Sequence, residues 1–302
     1  MVSLTVMIVA SFFISGIIVR TKSMASGRKG PGIMQPMKDI VKLFRKGSVY
    51  STTSSWIFKI APTIYISSLL MAMTFLPIGS SKGLFAFNGD FVFFAYVLAT
   101  GKFFSIIAAL DTGSSFEGMG ASREALFSML AEPAFFILMG SLGLLSGYSS
   151  FESIFQTMHY GSTISYALAF IATFILLMLA MIENSRMPID DPKTHLELTM
   201  IHEVMILDNS GFDLGLIMLG SNFKFIIYGT LIANLFMGSM PLYDTIPLFF
   251  LIQAVYGVLI GIIESFMARY RMTQNAQFIL ILSSLSLLMM FGVIMLLNKI
   301  NL

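Results

Sequence analysis

Residues 162–213 read STISYALAFIATFILLMLAMIENSRMPIDDPKTHLELTMIHEVMILDNSGFD. The first 22 are almost wholly apolar, the length a helix needs to cross the ~30 Å hydrocarbon core of a bilayer. The next 30 carry Asn184 to Asp213 and, with Glu183, gather seven acids: Glu183, Asp190, Asp191, Glu197, Glu203, Asp208 and Asp213. Only 11% of the chain is charged, so this density is unusual. Acids at a membrane boundary are costly unless water, protons or a protein partner use them. The stretch therefore points to both a membrane fold and the place where function sits.

The rest of the 302 residues repeats the apolar pattern. Hydrophobic residues make up 56%, with 29 Phe and 24 Met, far more than a soluble domain can bury. Apolar runs fall at roughly 2–19, 56–78, 89–110, 124–146, 162–183, 214–238, 246–267 and 276–298. Period-two alternation is absent, which argues against a membrane barrel. The expected fold is all-α: a polytopic membrane protein of about eight transmembrane helices, forming a single membrane domain over 1–302. The run from Val2 has no basic residue before it and reads as a retained helix.

A net charge of +2 implies no affinity for nucleic acid. With no Cys, the chain has no thiolates for an iron–sulfur cluster. His159, His195 and His202 are too few and too scattered for a dedicated metal site. His195 and His202 are two helical turns apart, yet with Glu203 they do not make H-E-x-x-H.

Loop charge predicts orientation. Segment 20–59 holds nine basic residues, and Arg123, Arg186, Lys193, Arg269 and Arg271 fall on the same side. Lys82 and Lys299 lie opposite. The positive-inside rule then puts both termini outside and 183–213 in the cytoplasm. Two cytoplasmic segments read as surface helices. In 33–46, Met37, Ile40, Val41 and Phe44 share one face, with Lys38, Lys42 and Arg45 on the other. Segment 193–207 repeats the pattern with an acidic face.

Intramembrane charges are the candidates for chemistry. Glu132 has no compensating charge in its own run, so a desolvated, protonated or paired carboxyl is expected, serving as a proton relay or as a structural hydrogen-bonding group. Lys224 is about ten residues into its span, too deep for easy snorkelling, and a paired interior role is expected. Lys102 reads equally as paired or snorkelling. For Glu264 the plain reading is a local salt bridge with Arg269 or Arg271. Asp90 suits a helix N-terminus. Gly27, Gly30 and Gly32 form no dinucleotide fingerprint, having no strand before them.

These residues resemble a known family. GRKGPGIMQPMKDIVKLF, residues 27–44, is similar to the loop and amphipathic helix after the first span of the respiratory complex I subunit that lines the quinone channel. ENSRMPIDDP resembles its E-T-N-R-x-P-F-D-x-P signature, with Glu183, Arg186, Pro188, Asp190 and Pro192 at matching positions and Glu197 at a following acid. DTGSSFEGMGASRE and DDPKTHLELTMIHEVMILDNSG depart from the quinone reducers and look like the membrane subunit of formate hydrogenlyase and of energy-converting, membrane-bound [NiFe] hydrogenases. That branch uses no quinone. The archaeal membrane-bound sulfane reductase shares the architecture.

The resemblance implies a non-catalytic anchor and coupling subunit in a redox-driven ion pump of the cell membrane. It implies proton-relay roles for Glu132, Glu183, Asp190, Asp191, Glu197 and Lys224. Docking roles fall to Arg28, Lys29, Gln35, Arg186, His195, His202 and Glu203. Implied partners are iron–sulfur and hydrogenase-like peripheral subunits, antiporter-like membrane subunits and the lipid bilayer. Fe–S clusters, and a NiFe centre in a hydrogenase, would sit in those partners and no cofactor on this chain. The alternatives are the equivalent subunit of a sulfane reductase or quinone reductase, a stand-alone ion transporter, which the lack of inverted repeats disfavours, and a purely structural anchor.

Overall fold

The computed structural model describes residues 1–159, 163–190, 200–238 and 240–300. Among them the chain forms eleven helices and no strand. The helices are α1 (Val2–Ala25), α2 (Gln35–Phe44), α3 (Trp56–Phe75), α4 (Asp90–Asp111), α5 (Ser115–Ser146), α6 (Phe151–His159), α7 (Thr163–Glu183), α8 (His202–Met205), α9 (Gly211–Met237), α10 (Leu242–Phe266) and α11 (Met272–Ile300). Eight of them are long and apolar enough to cross a membrane, all but α2, α6 and α8. They coincide with the eight apolar runs of the sequence.

The bundle is built around α9. Of its most apolar window 83% is buried, against 17% for α4. It touches α1, α2, α3, α6, α7 and α10, while α3 packs chiefly on α4, α5 on α11 and α1 on α10. Small residues permit these approaches. A Cβ at Gly220 would strike the Tyr65 ring, and one at Gly16 would overlap the carbonyl of Ile33, so the chain leading to α2 lies directly on α1.

α2 is shorter than the predicted 33–46 but has the predicted face. Ile40 is buried, and Phe44 meets Phe212 with ring centroids 5.3 Å apart. Val41, expected on the same face, is 40% exposed. The predicted 193–207 helix falls partly outside the described residues; of it, α8 is seen.

The fourth span needs correction. The sequence suggests a start at 124, where the apolar run begins, but α5 starts at Ser115. Its first turns are polar and pack on protein. Glu117 is fully buried, its Oε1 accepts from the Asp208 amide at 2.9 Å, and Gly120 lets α5 pass close to the Ile201 carbonyl. The helix outruns its apolar stretch because the 200–209 segment covers the extension.

Candidate functional site

The end of α7 sets the geometry. Ser185 adopts a left-handed backbone with φ 47°. The Arg186 amide donates to Met181 O at 2.8 Å and the Ser185 amide to Ile182 O at 3.0 Å. These two bonds make a Schellman cap with Ser185 in the place glycine usually takes. The cap turns the chain sharply, so Glu183 stays inside the bundle and Arg186 points across it.

Glu183 is the centre of a buried ion network. Lys102 on α4 donates to its two carboxylate oxygens at 2.8 and 2.7 Å. Lys224 on α9 lies 3.2 Å from Glu183 Oε2 and donates to the Glu183 carbonyl at 2.7 Å. Glu124 on α5 reaches Lys102 at 3.4 Å and accepts a long 3.5 Å bond from the Ser185 hydroxyl. Four helices thus meet in a set of two cations and two anions, each side chain less than about an eighth exposed. Lys102 and Lys224 are both paired rather than snorkelling. Glu124 escaped the sequence reading because it looked like a boundary acid. The signal was its seven-residue spacing from buried Glu117 and Ala131, which puts all three on one face of α5.

A second set of charges clamps the loop after the cap. Glu264 takes Arg186 at 3.3 Å and Lys22 at 3.4 Å. The expected local pairing of Glu264 with Arg269 or Arg271 is therefore wrong. The α10 C-terminus turns its acid toward α1 and α7, and Arg269 instead meets Asp190 at 2.8 Å. Asp190 is almost fully buried, and its second oxygen accepts from the Ile201 and His202 amides at 2.9 and 3.3 Å. The Tyr270 amide and the Asn275 side chain bind the carbonyls of Pro188 and Ile189. Arg186 also lies over the Phe225 ring, 5.1 Å from its centroid.

Glu132 departs from expectation. It is exposed on the flank of α5, with no ion pair among the described residues, and does not lie in a desolvated interior. It lines the mouth of a crevice of about 640 Å³ whose walls include Lys102, Glu183 and Tyr228.

A larger cavity of about 1400 Å³ brings the two charged segments together. Gln35 and Asp39 of α2 line it with Arg186, Asp190, His202 and Glu203. Gln35 donates to Asp39 at 3.0 Å. Arg28 and Lys29 are exposed and lie away from its lining. Asp191, His195 and Glu197 lie outside the described residues. Among the described residues no group of three His, Asp or Glu could hold a metal ion. Asp90 begins α4 as expected, and its carboxylate also accepts from the Phe151 amide at 2.8 Å.

Burial holds the His202 pKa below its ordinary 6.5, against the opposing pull of Glu124, Glu203 and Asp190. The folded state therefore favours neutral His202. Its stabilising contribution is full above the ordinary histidine value and is lost as pH falls through the depressed one. Acidifying from about pH 7.5 to about 5 is expected to lower the melting temperature of the parent more than that of His202→Gln. Equal losses in thermal scans of the two proteins would refute this.

The sequence profile described as NADH dehydrogenase matches residues 1–295. The chain belongs to the NADH dehydrogenase family. Within that family it is similar to hydrogenase-4 component C of Escherichia coli (strain K12), 33% identical over 225 residues, which cover 74% of this chain and 70% of that protein. It is also similar to formate hydrogenlyase subunit 4 of the same organism, 28% identical over 267 residues and 86% of each chain. An NADH-quinone oxidoreductase subunit of Rhodospirillum rubrum is 25% identical over 229 residues, 73% of this chain and 66% of that one. The fold matches a chain from the membrane-bound sulfane sulfur reductase, an archaeal respiratory membrane complex, with a TM-score of 0.80 at 19% identity, covering 95% of this chain and 98% of that one. With its eight apolar helices, this NADH dehydrogenase family member is a multi-pass membrane protein.

Proposed function

We propose that the chain is the anchor and coupling subunit of a multisubunit redox-driven ion pump, of the membrane-bound hydrogenase kind. In this reading both termini are outside, and the end bearing α2, α8 and Arg186 to Asp213 faces the cytoplasm and seats the peripheral redox subunits. Arg28, Lys29, Gln35, His202 and Glu203 would contribute docking contacts there. The Fe–S and NiFe centres belong to those partners.

The observation that carries the reading is the network on Glu183. Its carboxylate ends α7 beneath the loop that would meet the redox arm, and it holds Lys102 and Lys224 from two other helices. A charge change above the loop would act on Glu183 at short range and low dielectric. Movement of Lys102 toward Glu132, along the crevice both line, would pass that change to the flank of the bundle. Glu124 and Glu183 hold Lys102 at rest; Glu132 is the acid that would gain or lose a proton as Lys102 shifts. Similarity to the hydrogenase-4 and formate hydrogenlyase subunits supports this class of complex. A quinone-reducing complex is the second reading, favoured by the 1400 Å³ cavity under α2.

Glu132→Gln tests the coupling role, since it keeps size and hydrogen bonding but removes titration. Vesicles bearing the assembled variant complex are expected to lose ion uptake by about tenfold or more, the scale of removing a general acid–base group. Subunit content should stay normal. Unchanged uptake per electron transferred would refute the relay and leave Glu132 a structural group.

A further inference from the structure

Glu132 lies near the middle of α5, a helix apolar enough to cross the membrane, and its side chain is exposed on the lateral flank. A charged side chain at that depth facing lipid costs about 3 kcal/mol or more. Nothing inside the chain offsets it. Lys102 is engaged by Glu183 and Glu124, and Lys224 by Glu183, so the interior cations already have their counter-ions.

The surroundings of Glu132 have the form of a contact surface. Tyr96 is 64% exposed and Met129, one turn from Glu132, is 66% exposed. Tyr96 and Phe136 stand with ring centroids 6.3 Å apart beside the crevice. Ala95, Ala99 and Ala131 line it, leaving room for a long side chain entering from the membrane. α4, which forms the other wall, is the least covered of the eight apolar helices, with 17% of its window buried.

We propose that the α4/α5 flank docks a transmembrane helix of a second, different membrane subunit, which brings a lysine or arginine side chain to Glu132. Charge complementarity selects this occupant. A lipid tail or a wholly apolar helix would leave the carboxylate uncompensated, and a second copy of this chain would set Glu132 against another Glu132 in a symmetric contact. The inference rests on the membrane fold and on the charge of Glu132. It needs no titration of that group, so it stands or falls apart from the coupling role.

The test uses the native complex with a photo-activated benzophenone amino acid in place of Met129. The expected product is a cross-link to an apolar segment of another membrane polypeptide, with Lys or Arg inside that segment. Cross-links only to lipid, to this chain, or to a segment lacking a basic residue would overturn the proposal. Charge reversal gives a second readout. Glu132→Lys is expected to reduce retention of the cross-linked subunit by about tenfold, because like charges would then be buried together. Glu132→Gln, which still accepts a hydrogen bond, should retain it. Equal retention in Glu132→Lys and the parent would also overturn it.

Discussion

Replacing Glu183 by leucine is expected to destabilise the bundle by about 3–5 kcal/mol, the range for removing one partner from a buried ion pair. The size follows from what is left behind. Lys102 would keep only Glu124, at 3.4 Å, and Lys224 would keep only the backbone carbonyl of residue 183. Combining Glu183→Leu with Lys102→Met removes a cation as well and should recover part of the loss. The measurement is the unfolding temperature of the detergent-purified chain and its yield in membranes. A change below about 1 kcal/mol would mean that water, not Glu183, neutralises the two lysines.

The second large effect is expected at Asp190. Its two oxygens hold Arg269 at 2.8 Å and the amides of Ile201 and His202. Asp190→Ala removes a buried ion pair and two amide acceptors, for a local loss of about 3–5 kcal/mol. Hydrogen exchange should rise sharply over 200–209 while the interior of α9 keeps its protection. Protection of 200–209 equal to the parent would show that the Arg123 contact to the Met200 carbonyl, at 3.0 Å, and the packing of Ile201 hold the segment instead.

The eight long helices were legible because each is an uninterrupted apolar run, and membrane thickness sets its length. The face of α2 was legible from the spacing of Ile40 and Phe44. The pairings were not. Lys102 meets Glu183 across 81 residues of sequence and Lys224 meets it across 41, and no local pattern encodes which helices become neighbours. Glu264 shows the same limit: nearby arginines suggested a local pair, but its helix packs on α1 and its partners are Lys22 and Arg186. Hydropathy also concealed the start of α5, since Glu117 and Glu124 look like solvent-facing acids until their shared face is considered. Glu132 misled in the opposite sense, because an apolar run does not say whether a residue faces its own bundle or the bundle's surroundings.

The central position of α9 bears on how the chain is made. Lys224 near the middle of that helix would cost about 2.5–3.5 kcal/mol to pass alone from the translocon into lipid. Its counter-ion Glu183 ends α7, the long apolar helix that precedes α9 in the chain. During synthesis the acid therefore reaches the membrane before the lysine that needs it. Lys102, on the earlier α4, is already there to receive the acid. The order of the charges along the polypeptide, lysine, then glutamate, then lysine, lets each newcomer find its opposite in place, and the most enclosed helix enters last among the members of the network.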